Sequence, residues 1–239
     1  LGRYAQSLEQ CDQALARVNP SIEPESEPFV RLTRARLKCH LGRFDDARED
    51  VRIARDLCDT LAIEKGERWA RYELGTAAWL EGALESAAEH FQAALEARPE
   101  SEHERGNVEP LLGLGMVLHA LGERVRARAS ALQAMRISSA AEQPSIVFAL
   151  RSLLAVLGEE NPREVLAFAN GNAGRINYPG RLLGWWLLWR ASDDPALLRR
   201  AKDDLDSLVE NAPKEDRTTM VERVSLHRDI MKAWEEHGG

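Results

Sequence analysis

Cysteine is scarce. Cys11, Cys39 and Cys58 are an odd number, and no two have CxxC spacing. That excludes a disulfide framework and a zinc site of ordinary ligand spacing. The three fit small core residues of a chain kept in a reducing compartment. Strand formers are thin too. Val, Ile, Thr, Tyr and Phe never alternate for long, so no strand is expected. Long apolar runs are missing: Gly184 to Trp189 is the greasiest stretch, far short of the roughly 20 residues that span a bilayer. No signal-peptide pattern is visible. A basic excess is also lacking. The formal net charge is −7, which argues against a face built to neutralise phosphates. One segment departs from this. Arg31, Arg34, Arg36, Lys38, Arg43, Arg48, Arg52 and Arg55 run against Asp45, Asp46, Glu49 and Asp50. It reads as a solvated helical face laced by i,i+4 pairs, with a nucleic-acid or acidic-partner patch as the alternative.

Catalytic constellations are absent as well. His40, His90, His103, His119, His227 and His237 form no HExxH motif and pair with no cysteine at metal spacing. His40 and His119 stand beside glycines that end helices, where a cation suits the helix dipole. Gly113-Leu114-Gly115 follows no strand and is not a dinucleotide loop. Gly171-Asn172-Ala173-Gly174 lacks the Lys-Ser/Thr of a phosphate loop, and no serine has the context of a nucleophile elbow. The expectation is no enzyme, no catalytic residue, no metal and no cofactor.

What the chain does have is helix formers and a repeat. Ala, Leu, Glu and Arg dominate, with hydrophobic residues at 44% and charged residues at 30%, too ordered a mixture for a disordered tail. Leu1-Gly2-Arg3-Tyr4 returns as Leu41-Gly42-Arg43-Phe44, then at Gly82, then at Leu121-Gly122, a period of 40 residues. Five residues after each glycine comes Ser7, Ala47, Ala87 or Ala127. Twelve after it comes Ala14, Ala54, Ala94 or Ala134. The bulky slot two after the glycine holds Tyr4, Phe44 and Leu84, with Arg124 the exception. A glycine ends one helix because a left-handed residue costs least without a Cβ. The small columns, two turns apart on one face, let neighbouring helices approach closely. Asp45 and Asp46 put negative charge at the positive end of the next helix.

This pattern resembles the tetratricopeptide repeat. The third copy carries it best, with Leu74-Gly75 on its first helix and then Gly82, Leu84, Ala87, Phe91, Ala94, Leu95 and Pro99. The fourth has Leu114-Gly115, Gly122, Ala127 and Ala134. Gly75, Gly115 and Ala35 fill the small slot where the two helices of a repeat cross. The usual repeat of the family is shorter, and the extra length is expected in the helices or in loops such as Glu100 to Gly106. The resemblance implies an all-α, right-handed superhelical solenoid of about twelve helices in antiparallel pairs. Repeats are expected over 1–140, the first incomplete because Leu1-Gly2 falls at a turn inside a repeat, which suggests a piece of a longer protein. Degenerate pairs are expected over 141–212. Pro144 and Pro162 start helices, Gly158 ends one, and Asp193 or Asp194 caps another. A capping helix closes the chain over 213–239, running from Glu215 to Glu236 with Met220, Val221, Val224, Ile230, Met231 and Trp234 apolar.

In that family the first helices of successive repeats line a concave groove. Counting back from Gly42, Gly82 and Gly122 puts Phe29, Leu32, Arg36 and Cys39 on it. Trp69, Tyr72, Thr76 and Trp79 come next, then Glu109, Leu112, Met116 and His119, with Phe148 and Ser152 continuing the line. Core packing is the alternative for each aromatic taken singly. Together, Trp69, Tyr72 and Trp79 form one stripe, and an exposed aromatic stripe marks a binding surface. Arg36 on one side and Glu73 and Glu109 on the other are expected to set the partner's direction. The Lys/Asn clamp by which some family members grip chaperone carboxylates is not matched, since Leu32, Tyr72, Thr76, Leu112 and Met116 stand at its positions and only Arg36 could contribute. Trp185, Trp186 and Trp189 form a second cluster, expected to be buried.

The function expected is a cytoplasmic protein-interaction, scaffold or regulatory module that binds a peptide or helix. Self-association is another way to cover the stripe, and no membrane or nucleic-acid partner is expected. The alternative is a non-catalytic segment regulating a kinase, ATPase or protease domain outside this chain. The Ala- and Arg-rich composition is compatible with a GC-rich bacterium.

Overall fold

The computed structural model describes residues 3–19, 22–23, 25–97, 104–139 and 142–237. Among them are thirteen α-helices and no strand. They are α1 (Tyr4–Arg17), α2 (Ser26–His40), α3 (Phe44–Thr60), α4 (Gly66–Glu81), α5 (Leu84–Glu96), α6 (Val108–Ala120), α7 (Arg124–Ile137), α8 (Pro144–Leu157), α9 (Pro162–Gly171), α10 (Gly180–Ser192), α11 (Pro195–Glu210), α12 (Arg217–Arg223) and α13 (Ser225–His237). The first glycine of the repeat, Gly2, lies outside the described residues, as do residues 98–103, Pro99 and His103 among them.

The glycine register sets the helix ends. Gly42, Gly82, Gly122 and Gly158 have φ of +76°, +96°, +82° and +84°. The residue after each glycine donates its N–H to a carbonyl five residues back. These bonds are Arg43 to Lys38 at 2.9 Å, and Ala83 to Ala78, Glu123 to Leu118 and Glu159 to Leu154 at 2.8 Å. All four therefore terminate in the same left-handed turn, which satisfies carbonyls the helix would leave open. Helix starts follow local chemistry too. Asn161 accepts from the Arg163 N–H at 2.9 Å ahead of Pro162, and Asp194 accepts from the Ala196 N–H at 2.9 Å ahead of α11.

Helices pack as neighbouring pairs, α2 with α3, α4 with α5 and α6 with α7 among them. The chain divides into two compact units, one formed by 3–97 with 211–225, the other by 104–210 with 226–237. In the first, Leu32, Ala35, Cys39, Phe44, Ala47, Val51, Ala70, Ala77, Leu80 and Val224 form a buried core, with Trp69, Leu74 and Trp79 packed against its edge. The repeat's small columns are why the helices close up: Ala47, Ala54, Ala87 and Ala94 are fully buried. At Gly75 a Cβ would lie 2.7 Å from the Phe91 ring, so the crossing of α4 and α5 has no room for a side chain there. All three cysteines are free and buried.

The terminal segment differs from expectation. It is not one helix over 215–236 but two, broken at Val224, whose backbone is extended at φ −79°, ψ 114°. Leaving helical geometry lets Val224 bury itself completely in the first unit's core. Nearby links tie this piece to the same unit. Arg43 donates to both oxygens of the buried Asp216 at 2.5 and 2.6 Å, and the Ser225 hydroxyl donates to the Trp79 carbonyl at 3.0 Å.

In the second unit α6, α8 and α10 are apolar on nearly every side and buried over most of their length, as interior helices must be. Gly115 and Gly184 permit close crossings. A Cβ on Gly115 would stand 3.2 Å from Leu153, and one on Gly184 would stand 2.3 Å from the Phe148 ring. Trp185 and Trp186 are buried, as expected of that cluster, whereas Trp189 is only half-buried.

Candidate functional site

The residues expected on the groove divide between the two units. Phe29, Arg36, Trp69, Tyr72, Thr76 and Trp79 belong to the first, on the adjacent helices α2 and α4. Within that face, Leu32, Cys39 and Thr76 are buried, while Phe29, Arg36, Trp69, Tyr72 and Trp79 keep part of their surface in solvent. The Thr76 hydroxyl donates to the Tyr72 carbonyl at 3.1 Å, a local bond that uses it internally. Trp69 and Trp79 flank the core, so their half-burial combines packing with display.

Two aromatic–cation groups result. The Phe29 and Trp69 rings meet edge to face with centroids 4.2 Å apart, a favoured geometry for paired rings. The Lys65 ammonium sits 4.6 Å from the Trp69 ring and 5.5 Å from that of Phe29, close enough for cation–π attraction. On the same pair of helices the Arg36 guanidinium lies 5.2 Å over the Tyr72 ring, and Tyr72 leans on Phe91 at 6.0 Å. Lys65 was not identified from sequence, although its position one helical turn before Trp69 was a signal available there.

Arg36 and Glu73 do not oppose each other as poles. The Arg36 Nε donates to both Glu73 oxygens, at 3.0 and 3.2 Å, and its Nη2 joins them. The Glu73 side chain is 3% exposed and that of Arg36 40%. A carboxylate this deep needs a charged partner to stay ionised, and Arg36 supplies it from the rim. The pair is one neutral unit, so Arg36 and Glu73 cannot set a partner's direction between them. Cys39 lies beneath, its thiol pushed well above the ordinary range by burial and, less strongly, by the Glu73 carboxylate. It is not a thiolate at neutral pH.

Glu109, Leu112, Met116 and His119 stand on α6 of the second unit. Leu112 and Met116 are buried, while Glu109 and His119 are half-buried. Phe148 and Ser152, expected to continue the groove, are wholly buried instead, and the Ser152 hydroxyl donates to the Phe148 carbonyl at 2.8 Å. The His119 Nδ1 is buried without a hydrogen-bond partner among the described residues. Burial first, then Arg190 and Arg124, push its pKa down, so the ring is neutral at pH 7.

The basic segment is also more internal than its sequence suggests. The i,i+4 pairs exist, as in Arg31 with Glu27 and Arg52 with Asp56. Asp50, however, is buried and gathers Arg34 at 2.5 and 2.9 Å and Lys38 at 2.7 Å, with Arg31 at 3.5 Å. Much of the positive charge read as a solvated face is therefore engaged with a buried carboxylate.

Among the described residues no cluster of three or more His, Cys, Asp or Glu side chains is placed to hold a metal ion, and no helix is long and apolar enough to cross a membrane. The sequence matches no protein-family model and no curated protein.

Proposed function

We propose that this chain is a non-catalytic protein-interaction module whose first unit holds a peptide or helix of a partner protein. The surface carrying Phe29, Lys65, Trp69, Arg36 and Tyr72 is the docking face. The observation that carries this reading is the selective exposure along α2 and α4. Leu32, Cys39 and Thr76 on that face are buried, whereas Phe29, Trp69 and Tyr72 keep part of their rings in solvent with two cations stacked on them. Aromatic and arginine side chains in a half-buried row are the usual anchors of an interface. Lys65 has no acidic partner among the described residues, so the surface favours a segment with an apolar anchor followed by a carboxylate. Glycine-ended helix pairs on a 40-residue register support tetratricopeptide-like repeats of a right-handed solenoid capped by the C-terminal helices. Buried free cysteines support a cytoplasmic setting. A regulatory scaffold for a kinase, ATPase or protease domain is the form such a module would take in a longer protein.

The test uses Phe29→Ala and Tyr72→Ala, because Trp69 and Trp79 also cover core. Both variants are expected to keep the helical circular-dichroism signal and to lose a partner recovered by the unaltered chain. Loss of an interface anchor typically costs about 2 kcal/mol or more, roughly 30-fold in affinity. Folded variants that retain every partner would show the docking face to be wrong.

A further inference from the structure

The second unit contains a cleft that the interaction surface does not use. It has a volume of about 300 Å³ and opens between α10, α11 and the chain following α9. One wall is the Trp185 indole, and Ala169 and Ile176, both buried, give it an apolar floor. Arg181 and Asp204 also line it, but they neutralise each other, with the Arg181 Nε donating to Asp204 at 2.7 Å and a second bond alongside. Two charges are left over. The Arg200 guanidinium lies 4.8 Å over the Trp185 ring and gives one hydrogen bond, to the Asn170 side-chain oxygen at 3.1 Å. Among the described residues it has no carboxylate partner. Asp203, one turn along α11, has no cation partner among them either. Residues three apart on a helix can pair, but here the guanidinium stacks on Trp185 and bonds Asn170, and no ion pair with Asp203 forms.

We propose that this cleft binds a small zwitterion with an apolar side chain, of the size and charge pattern of a free amino acid. The charge pattern selects it. A simple anion would gain from Arg200 and be repelled by Asp203, and a simple cation would meet the reverse. A ligand with a carboxylate and an ammonium on the same carbon satisfies both. The planar guanidinium has its fork of donors available for a carboxylate, and Asp203 accepts from the ammonium. The side chain then packs on Trp185, Ala169 and Ile176. The volume lies at the small end of the roughly 300–1,000 Å³ of ligand sites, which excludes a folded partner segment. This site belongs wholly to the second unit, and the proposal does not rest on the docking face of the first.

The experiment titrates the full chain with L-leucine, N-acetyl-L-leucine and L-leucinamide, following the Trp185 indole N–H by two-dimensional NMR, with the peak assigned through Trp185→Phe. L-leucine is expected to shift that peak saturably. The two blocked forms, each lacking one charge, are expected to bind at least tenfold more weakly. Arg200→Gln and Asp203→Asn are expected to weaken L-leucine at least tenfold each. Both residues are exposed, so the variants should melt with the unaltered chain. The proposal is overturned if L-leucine gives no saturable shift at Trp185, if N-acetyl-L-leucine binds as well as L-leucine, or if the shift survives both substitutions.

Discussion

Asp50→Ala is expected to destabilise the first unit by about 3–5 kcal/mol, the usual cost of removing one partner from a buried ionic network. The reason is what remains. The Asp50 side chain is 3% exposed, and those of Arg34, Lys38 and Arg31 are 18%, 16% and 20% exposed. Arg34 and Arg31 keep second partners in Asp12 and Glu27, but among the described residues Lys38 keeps only the Asp46 carbonyl, at 3.3 Å. Removing the carboxylate strands a half-buried ammonium and loosens two guanidinium groups. Replacing Lys38 together with Asp50 by apolar residues of similar size should recover a large part of the loss, because an unpaired charge costs more than an absent pair. Urea unfolding of the single and double variants measures both. A single-variant cost below about 1 kcal/mol would mean that the cations escape to water.

The same carboxylate carries a pH signature. Burial alone would push the Asp50 pKa up; the bonds from Arg34 and Lys38 outweigh it and hold the group below its ordinary value. A depressed folded-state pKa gives stability that is present above the unfolded carboxyl's value of about 3.9 and is lost as pH falls through the lower folded one. The gap in stability between the unaltered chain and Asp50→Ala should be constant from about pH 5 to pH 7 and should narrow below about pH 4. A gap that widens on acidification would contradict the assignment.

How far the sequence carried depends on the range of the interaction. Gly42, Gly82, Gly122 and Gly158 were legible as helix ends because a left-handed turn is a local demand that one residue type meets most cheaply. The small columns were legible because close helix crossing repeats every 40 residues, and Ala47, Ala54, Ala87 and Ala94 are indeed fully buried. Non-local pairing was not legible. Asp50 looks like one more charge on a polar helix until α2 lays Arg34 and Lys38 across it, and Glu73 looks solvent-facing until Arg36 reaches it across the α2–α4 contact. The break at Val224 was hidden for the same reason. Met220, Val221, Val224, Ile230 and Met231 suit one helix, and only the first unit's core pulls Val224 out of it. Of the candidate site, the face of α2 and α4 was placed by the resemblance to a repeat family and its aromatic stripe by spacing, but not which of its members would stay in solvent. Burial of Thr76 and Leu32 beside half-buried Tyr72 and Phe29 is decided by the crossing geometry of two helices, which a single periodicity does not encode.

Phe148→Ala is expected to cost about 3–5 kcal/mol, the range for deleting a buried aromatic ring, and the loss should concentrate in α8 and α10. Phe148 has no exposed surface, its ring meets Trp185 edge to face at 4.7 Å, and it fills the notch left by the missing side chain of Gly184. A Cβ on Gly184 would lie 2.3, 2.4 and 2.9 Å from three atoms of that ring. Gly184→Ala therefore sets two effects against each other. Alanine is better than glycine inside a helix by about 1 kcal/mol, while overpacking a filled core costs about 1–3 kcal/mol and sometimes more. With a rigid, fully buried ring as the obstacle, the steric cost wins and the variant is less stable. The decisive measurement is the double variant Gly184→Ala with Phe148→Leu. A shorter, flexible side chain vacates the space the new methyl needs, so the pair should be more stable than the sum of its parts by about 0.5–3 kcal/mol, the usual coupling of residues in contact. Hydrogen exchange of the α8 and α10 amides reads this unit directly, without assuming that both units unfold together. Strict additivity would show that the ring and the glycine do not share the space the structure gives them.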